Sequence, residues 1–340
     1  MALPTPSADI TCPVCHGTAT CAFAGKMWQI KAHSREFSYA ECQECRLLFC
    51  TPMPTPEETG VVYSSYYKYD WFLQRRFLKR VQARQRYRGM VGILQKHRVN
   101  NAASRLLDVG CGHGWFLQCA KQNGWEVHGL DVLDDEQVAA AQARGIEIQR
   151  SSIEDSAFPA SHFDLITFWH SLEHTIDPRR ALGKAASILK PGGLCVIALP
   201  NRDSKGLERA GVRWDWLQEP FVHLFCFSAA ALRKIADGSL EPLVELSRDT
   251  WDQQCIMTTL PLRAIAAILR FMFLYPRKLF NRLRLERLAR CCQWLHTVAS
   301  ESIHLTTYAG YIALRPLLTG YERGLHGSEL VVIFRKKPSP

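Results

Sequence analysis

The feature that most constrains the fold is a glycine-rich turn between an apolar run and a helical pattern. Residues 105–117 read RLLDVGCGHGWFL and place Gly110, Gly112 and Gly114 at alternate positions. Because glycine has no Cβ, the backbone of such a loop can pass close to a bound ligand, and the N–H groups that open the next helix attract anionic groups. The segment predicts a strand, a ligand-holding loop and a helix.

The glycine spacing argues against a dinucleotide site. That fingerprint needs G-x-G-x-x-G, and its sixth position is Trp115 here. Acidic residues recur instead at successive strand ends: Asp108, Asp131, and the pair Glu154 and Asp155. A carboxylate after the second strand suits a ribose diol, and one after the third can accept from an adenine amino group. A solvated loop explains any one of them, but their ordered recurrence indicates a nucleoside-binding edge.

Two C-x-x-C pairs predict a metal site near the N-terminus. Cys12 and Cys15 form one pair, and Cys42 and Cys45 form the other. Each pair places two thiolates on one tight turn, and two turns complete a closed tetrahedral zinc site. Four protein ligands leave no open position, so we expect a structural zinc whose removal loosens residues 1–55 and spares the core. A redox pair is the alternative.

Residues 104–201 alternate short apolar runs with helical patterns, which is typical of βαβ units and a parallel sheet. The predicted fold class is α/β: a Rossmann-like sheet with helices on both faces, closed by a late strand at 330–334. A small N-terminal zinc ribbon and a helical C-terminal insertion accompany it. The predicted regions are a zinc module (1–55), an aromatic and basic helical connector (56–100), a cofactor-binding core (101–202) and an acceptor-binding helical region that ends in the last core strand (203–340).

The ordered motifs of the core resemble those of class I S-adenosylmethionine-dependent methyltransferases, in the bacterial group that includes ubiquinone-type O-methyltransferases. The matching stretches are LLDVGCGHGWFL, VHGLDV, the Glu154-Asp155 loop, FDLITFWHSLEH and LKPGGLCVIALPN, all within residues 104–201. The cysteine module, a Tyr-rich connector and a later EPFVHLFCFS block are similar to methyltransferases of sugar and surface-polysaccharide pathways, including sugar C-methyltransferases. The resemblance implies a class I methyltransferase fold with S-adenosylmethionine as donor.

The resemblance also assigns the cofactor contacts. It implies that Asp108 and the glycine loop hold the methionine part, that Asp131 takes the ribose and that Asp155 lies beside the adenine. The expected cofactor-binding residues are Asp108, Gly110, Cys111, Gly112, Gly114, Asp131, Val132, Glu154, Asp155 and His170.

The transfer step needs alignment of donor and acceptor, and a general base helps when the acceptor is a hydroxyl or a carbon acid. Two segments offer a candidate base. The tip of the fourth strand carries His170, Glu173 and His174, and the segment after the fifth strand carries His223. In the resembling family the Glu-His pair often looks structural, and a satisfied structural histidine is the alternative for His223. All four are candidate catalytic residues.

Aromatic residues near these segments are candidates for the walls of an acceptor pocket, with plain packing as the alternative. They are Tyr63, Tyr66, Tyr67, Trp214 and Trp216.

The formal charge of +10 predicts an anionic partner, which is a phosphorylated substrate, an acidic membrane surface or nucleic acid. Basic residues punctuate two helix-like stretches, 75–88 and 263–290, and such amphipathic helices are compatible with peripheral contact at the inner face of the membrane. Thirteen cysteines, an odd number, argue against a secreted disulfide framework. With no signal peptide recognised at the N-terminus, we expect a cytoplasmic protein.

The sequence therefore predicts a methyltransferase for a small or a lipid- or nucleotide-linked acceptor: a sugar, a surface-polysaccharide precursor or a quinone-like phenol. An RNA methyltransferase is the alternative, although the Asn/Asp-Pro-Pro-aromatic tetrapeptide of enzymes that methylate amino nitrogens is missing after the fourth strand. A non-catalytic protein that kept the cofactor-binding fold is the second alternative, and the intact glycine loop disfavours it.

Overall fold

The computed structural model of the chain describes residues 10–23, 28–29, 36–61, 83–84, 86–91, 94, 104–132, 139, 141–217, 221–236, 238–248, 288, 291–292, 295 and 326–338. Two compact units divide the chain: residues 1–248 with 324–340, and residues 249–323. The sheets and the candidate site belong to the first unit. The basic residues of the stretch 263–290 and the tyrosines at 63, 66 and 67 lie outside the described residues.

An antiparallel sheet forms the N-terminal part. Its strands are β1 (Ile10–Thr11), β2 (Thr18–Cys21), β3 (Trp28–Gln29), β4 (Glu36–Cys42) and β5 (Leu48–Thr51). The order is β1-β2-β4-β5, with β3 on β4. The predicted ribbon is thus a set of short hairpins, and the turn between β4 and β5 carries Cys42 and Cys45.

A seven-stranded sheet forms the core. In chain order its strands are β6 (Arg105–Val109), β7 (Glu126–Asp131), β8 (Ile148–Arg150), β9 (Phe163–Trp169), β10 (Leu189–Pro200), β12 (Leu240–Arg248) and β13 (Glu329–Lys336). Across the sheet the order is β12-β13-β10-β9-β6-β7-β8. Strands β6 to β10 pair in parallel, whereas β13 runs antiparallel between β10 and β12. The predicted Rossmann-like sheet and its late closing strand are confirmed.

Helices α1 (Trp115–Lys121), α2 (Pro178–Ile188), α3 (Lys205–Ala210) and α4 (Ala229–Ala236) connect these strands. The side chain of Asp177 accepts from the N–H of Arg180 and caps α2, with Pro178 in the first turn. Within the part of the chain that the structure describes, no helix has the length and hydropathy of a membrane span.

Two strands lie where the sequence indicated mainly helix. The segment LEPLVELSR forms β12, which pairs antiparallel with β13 along its length. The short strand β11 (Phe225–Cys226) pairs antiparallel with β5 and so joins the N-terminal sheet rather than the core sheet. A pair of residues is too short to be recognised from a pattern of period two.

The ribbon and the core share one hydrophobic cluster. Val14 and Phe49 from the ribbon belong to the same buried cluster as Phe227 and Leu232 from the core. The Ser228 hydroxyl donates to the carbonyl of Cys45 (2.7 Å) and accepts from the N–H of Ala231 (3.0 Å), so it both caps α4 and holds the second cysteine turn. The ribbon is therefore packed against the core more widely than the sequence indicated.

Replacing Ser228 with alanine should remove both bonds. We expect a loss of about 2 kcal/mol in the free energy of unfolding, measured by urea denaturation of protein prepared with zinc. Ser204→Ala is the matched control: Ser204 is equally buried and caps only α3, through the N–H of Leu207 (3.1 Å). Its loss should be about 1 kcal/mol. Equal losses would show that the bond to Cys45 contributes nothing.

Candidate functional site

The carboxyl ends of β6, β7 and β9 meet at one edge of the core sheet because these strands are parallel neighbours. The glycine loop follows β6, Asp131 ends β7, and a 3-10 turn, Leu172–His174, follows β9. In open α/β sheets this edge, beside the point where strand order reverses, is where ligands bind. The predicted cofactor and base segments are thus brought together.

Close packing against the tip of β9 requires glycine in the loop. Gly110 has φ +72°, and a Cβ there would lie 2.4 Å from the Cβ of Ser171. The Ser171 hydroxyl donates to the carbonyl of Val109 (2.6 Å), which ties the two strand ends together. Gly112 differs: its φ is +53°, but among the described residues no heavy atom lies within 4 Å of an added Cβ. The loop is therefore packed below Gly110 and open at Gly112.

Asp131 holds the open part of the loop. Its Oδ2 accepts from the N–H of Gly112 (2.7 Å), and its Oδ1 accepts from the N–H of Val132 (2.8 Å). Burial raises the pKa of this carboxyl, and the two N–H donors oppose that rise. An ionised carboxylate has about four acceptor positions, so this one keeps capacity for two ligand hydroxyls. Val132 is 67% exposed and offers an apolar surface beside it.

Asp108 is buried beneath the loop, with 2% of its surface exposed. Its Oδ1 accepts from the hydroxyl of Thr167 on β9 (2.7 Å). Burial raises the pKa of Asp108 to about 7, although the Thr167 hydrogen bond opposes the rise. Asp108 thus links β6 to β9 from the inside, and its contact with a cofactor stays a prediction.

The remaining predicted cofactor residues lie around this edge. Glu154 and Asp155 follow β8 in a loop, where the Ser152 hydroxyl donates to Oδ2 of Asp155 (2.8 Å). The side chain of Asp155 is 75% exposed, so it is accessible to a ligand. Cys111 is buried, and its Sγ packs where a Cβ on Gly129 would lie.

His170 is enclosed by two buried carboxylates. Its Nε2 lies 2.7 Å from Oε1 of Glu329 at the start of β13, and its Nδ1 lies 3.4 Å from Oε1 of Glu173. Burial alone would lower the pKa of His170, but the two carboxylates raise it above the ordinary value. Burial opposes ionisation of Glu329 as well, yet His170 and the Arg248 guanidinium, which pairs with it, hold its pKa at about 2. This arrangement favours a charged imidazolium, which has no free lone pair for a base.

Trp216 joins His170 to the second predicted base. The rings of Trp216 and His170 are stacked, with centroids 4.9 Å apart and planes 4° from parallel. The His223 ring meets Trp216 edge-on at 5.3 Å and lies 5.0 Å from the ring of His174. A carboxylate oxygen of Glu173 and ring nitrogens of His174 and His223 lie within 4.8 Å of one another. All four predicted catalytic residues therefore form one cluster.

His223 has the opposite electrostatic environment to His170. Burial, followed by the nearby charges of His174 and His170, holds its pKa well below the ordinary value. Its Nδ1 is buried and has no hydrogen-bond partner among the described residues, and the same is true of Nε1 of Trp216. Buried polar atoms without partners are few in native proteins. The two rings that carry these atoms lie 5.3 Å apart, so both atoms are candidates for contact with a polar ligand.

Two further residues of this cluster, Glu329 and Arg248, are not indicated by any motif in the sequence. In the sequence, Glu329 lies 159 residues after His170 and Arg248 lies 78 residues after it. Each begins or ends a strand of ordinary composition, and no local motif marks them. Only the antiparallel pairing of Arg248 with Glu329 across β12 and β13 places them together.

The four predicted metal-ligating cysteines converge in the ribbon. Their Sγ atoms all lie within 4.8 Å of one another, with Cys12–Cys45 at 3.7 Å and Cys15–Cys42 at 3.4 Å. The two turns have the same form: His16 and Arg46 follow the cysteines in left-handed conformation, with φ of 61° and 59°. Zn–S bonds of about 2.3 Å in a tetrahedron place sulfur atoms about 3.8 Å apart. The donor set and spacing therefore fit zinc.

Comparisons with known proteins show which family the chain resembles. A family model described as "Methyltransferase domain" matches residues 65–239, just over half of the chain. A ubiquinone biosynthesis O-methyltransferase of Psychrobacter arcticus is 33% identical over 116 residues, which cover 31% of this chain and 44% of that protein. One of Idiomarina loihiensis is 34% identical over 122 residues, covering 34% and 50%. The chain thus spans about half the length of the curated relatives it matches.

Among solved structures, a putative sarcosine dimethylglycine methyltransferase from Galdieria sulphuraria aligns with 16% identity and a TM-score of 0.45, covering 74% of this chain and 84% of that one. The resemblance inferred from the motifs is confirmed by the family match. The chain belongs to the S-adenosylmethionine-dependent methyltransferases.

Proposed function

We propose that this protein methylates a hydroxyl or an acidic carbon of a small-molecule acceptor, with His223 as the general base. The observation that carries the proposal is the buried Nδ1 of His223, which has no partner among the described residues and lies in the cluster at the carboxyl edge of the sheet. A base must lie within reach of the acceptor proton before its pKa matters. The glycine loop belongs to the same edge.

The residues proposed to hold the donor are the backbone of the glycine loop, Asp131 for the ribose hydroxyls, Val132 against the adenine face, and Asp155 with Glu154 at the adenine edge. When bound, S-adenosylmethionine supplies an electrophilic methyl group on its sulfonium. The open space at Gly112 and the remaining acceptor positions of Asp131 fit such a ligand. Gly110 and Ser171 fix the loop, so little reorganisation accompanies binding.

The residues around His223 have complementary tasks in the proposal. Because its pKa is low, His223 is neutral near pH 7 and can take the acceptor proton. Trp216 Nε1 can donate to an acceptor oxygen, and the Glu173 carboxylate can stabilise the imidazolium that forms. His174 is fixed because its Nδ1 donates to the carbonyl of Val222 (2.7 Å). His170, held as an imidazolium, positions Trp216 rather than moving a proton.

The proposed acceptors are a quinone-like phenol, which the names of the curated relatives suggest, and a sugar or surface-polysaccharide precursor. All offer a hydroxyl or an activated carbon to His223. The formal charge of +10 favours a phosphate-linked form of the acceptor. We further propose that Cys12, Cys15, Cys42 and Cys45 bind a structural zinc ion, since their spacing fits that metal and all but Cys15 are fully buried.

Asp131→Ala should weaken the binding of S-adenosylmethionine by about 10- to 100-fold, because charge-assisted hydrogen bonds contribute about 1.5–3 kcal/mol each. Calorimetric titration of the folded protein measures this. Asp164→Ala is the control: Asp164 pairs with Lys190 at the opposite end of β9 and should leave the affinity unchanged. Unaltered binding by the Asp131 variant would reject the assignment of the ribose site.

His223→Gln should lower kcat by about 100-fold, the lower range for loss of a general base, and leave the affinity for S-adenosylmethionine unchanged. In the wild type the acid limb of kcat/KM should lie below pH 6.5, because activity needs neutral His223 and its pKa is lowered. The rate should therefore fall only as the pH drops through that lower value. An acid limb above pH 6.5, or full activity in the variant, would contradict the proposal.

A further inference from the structure

We propose that Tyr39, a residue of the cysteine ribbon, positions His223 by donating a hydrogen bond to the backbone carbonyl of His223. The ribbon would then contribute a positioning residue to the active site. The inference deepens the proposed function and rests on it, since it concerns the residue assigned there as the base.

That segment, residues 222–226, is held on its core side by the turn after β9. The N–H of Leu224 donates to the carbonyl of Glu173 (3.0 Å). The carbonyl of Val222 accepts from Nδ1 of His174 (2.7 Å). These bonds hold the residues on both sides of His223, but they do not involve the backbone of His223 itself.

The ribbon holds the same segment from the other side. The phenol of Tyr39 donates to the carbonyl of His223 at 2.6 Å, and the N–H of Cys50 donates to the carbonyl of Leu224 at 2.8 Å. Phe225 then pairs with Phe49 where β11 joins β5. The backbone carbonyl of the proposed base is therefore bound by a side chain of the ribbon.

Tyr39 is itself rigidly placed. It is fully buried and belongs to the hydrophobic cluster that contains Trp214 and Trp216, so its ring packs with the aromatic residues near the site. It lies opposite Cys50 in the β4–β5 hairpin, whose turn carries Cys42 and Cys45. A metal at the four cysteines would fix the end of the hairpin and with it the register that presents Tyr39 and Cys50.

A shift of His223 would change its environment measurably. The ring is faced by His170, Glu173 and His174 from the tip of β9 and by the backbone of Trp216. Burial and the two histidines hold its pKa low. If the carbonyl loses its donor and the segment loosens, water gains access and the pKa rises toward the ordinary value.

The test is an NMR titration of the histidine rings in the zinc-loaded protein and in its Tyr39→Phe variant, with His223→Gln to assign the signal. We expect the pKa of His223 to rise in Tyr39→Phe. Tyr87→Phe is the matched control: its buried phenol bonds to Nε1 of Trp125 (3.2 Å) in the other core cluster, and the His223 titration should not move. An unchanged titration in a folded Tyr39→Phe protein would overturn the proposal.

Kinetics separate positioning from plain stability. Tyr39→Phe should lower kcat by about 10-fold and move the acid limb of its pH profile upward, with KM nearly unchanged, because the base is misplaced rather than removed. A loss that only follows the folded fraction, with the pH profile fixed, would contradict the inference. The NMR result needs no turnover, so a protein that binds no S-adenosylmethionine would reject the proposed function without deciding the role of Tyr39.

Discussion

The arrangement of the first unit depends on the backbone hydrogen bonds of residues 222–226, which lie between two sheets and are used by both. On one side the turn after β9 takes an N–H and a carbonyl of the segment. On the other side, the Tyr39 hydroxyl donates to the carbonyl of His223, and Phe225 and Cys226 pair with β5. Buried backbone groups must be paired, so a loop without these partners would be costly to bury. The ribbon therefore supplies hydrogen-bond partners for this segment that the core sheet alone does not provide.

The candidate site also depends on two histidines that contact the Trp216 ring and have pKa values shifted in opposite directions. His170 and His223 both contact Trp216. Two carboxylates raise the pKa of His170, while burial and neighbouring histidines lower that of His223. Separated pKa values of this kind are typical of sites in which one group stays charged and another acts as a base, which supports the proposed role of His223. The low pKa of His223 depends in part on the charge that Glu173 and Glu329 maintain on His170.

The core was predictable because each of its elements is local. The glycine loop and the acidic strand ends each carry their signal within about a dozen residues, and parallel strands put them at one edge. The cysteine pairs were predictable for the same reason. Both sets agree with the structure, as does the late strand at 330–334.

The links between these local units were not predictable. Tyr39 and His223 are 184 residues apart, and Ser228 and Cys45 are 183 apart. β11 has two residues and no periodicity to detect. Tyr39 occurs in a stretch, EFSYAEC, whose alternation indicates only a strand with a buried face. The docking of ribbon on core depends on tertiary packing, which a single sequence does not display.

The most direct test of this account is hydrogen–deuterium exchange of the backbone amides in protein prepared with zinc, before and after treatment with a chelator. If the ribbon and the site are one unit, residues 222–226 should lose protection together with β4 and β5, while β6 and β9 keep theirs. Loss of protection confined to the ribbon, with residues 222–226 unchanged, would show that the ribbon is an appendage and that the site holds its proposed base without it.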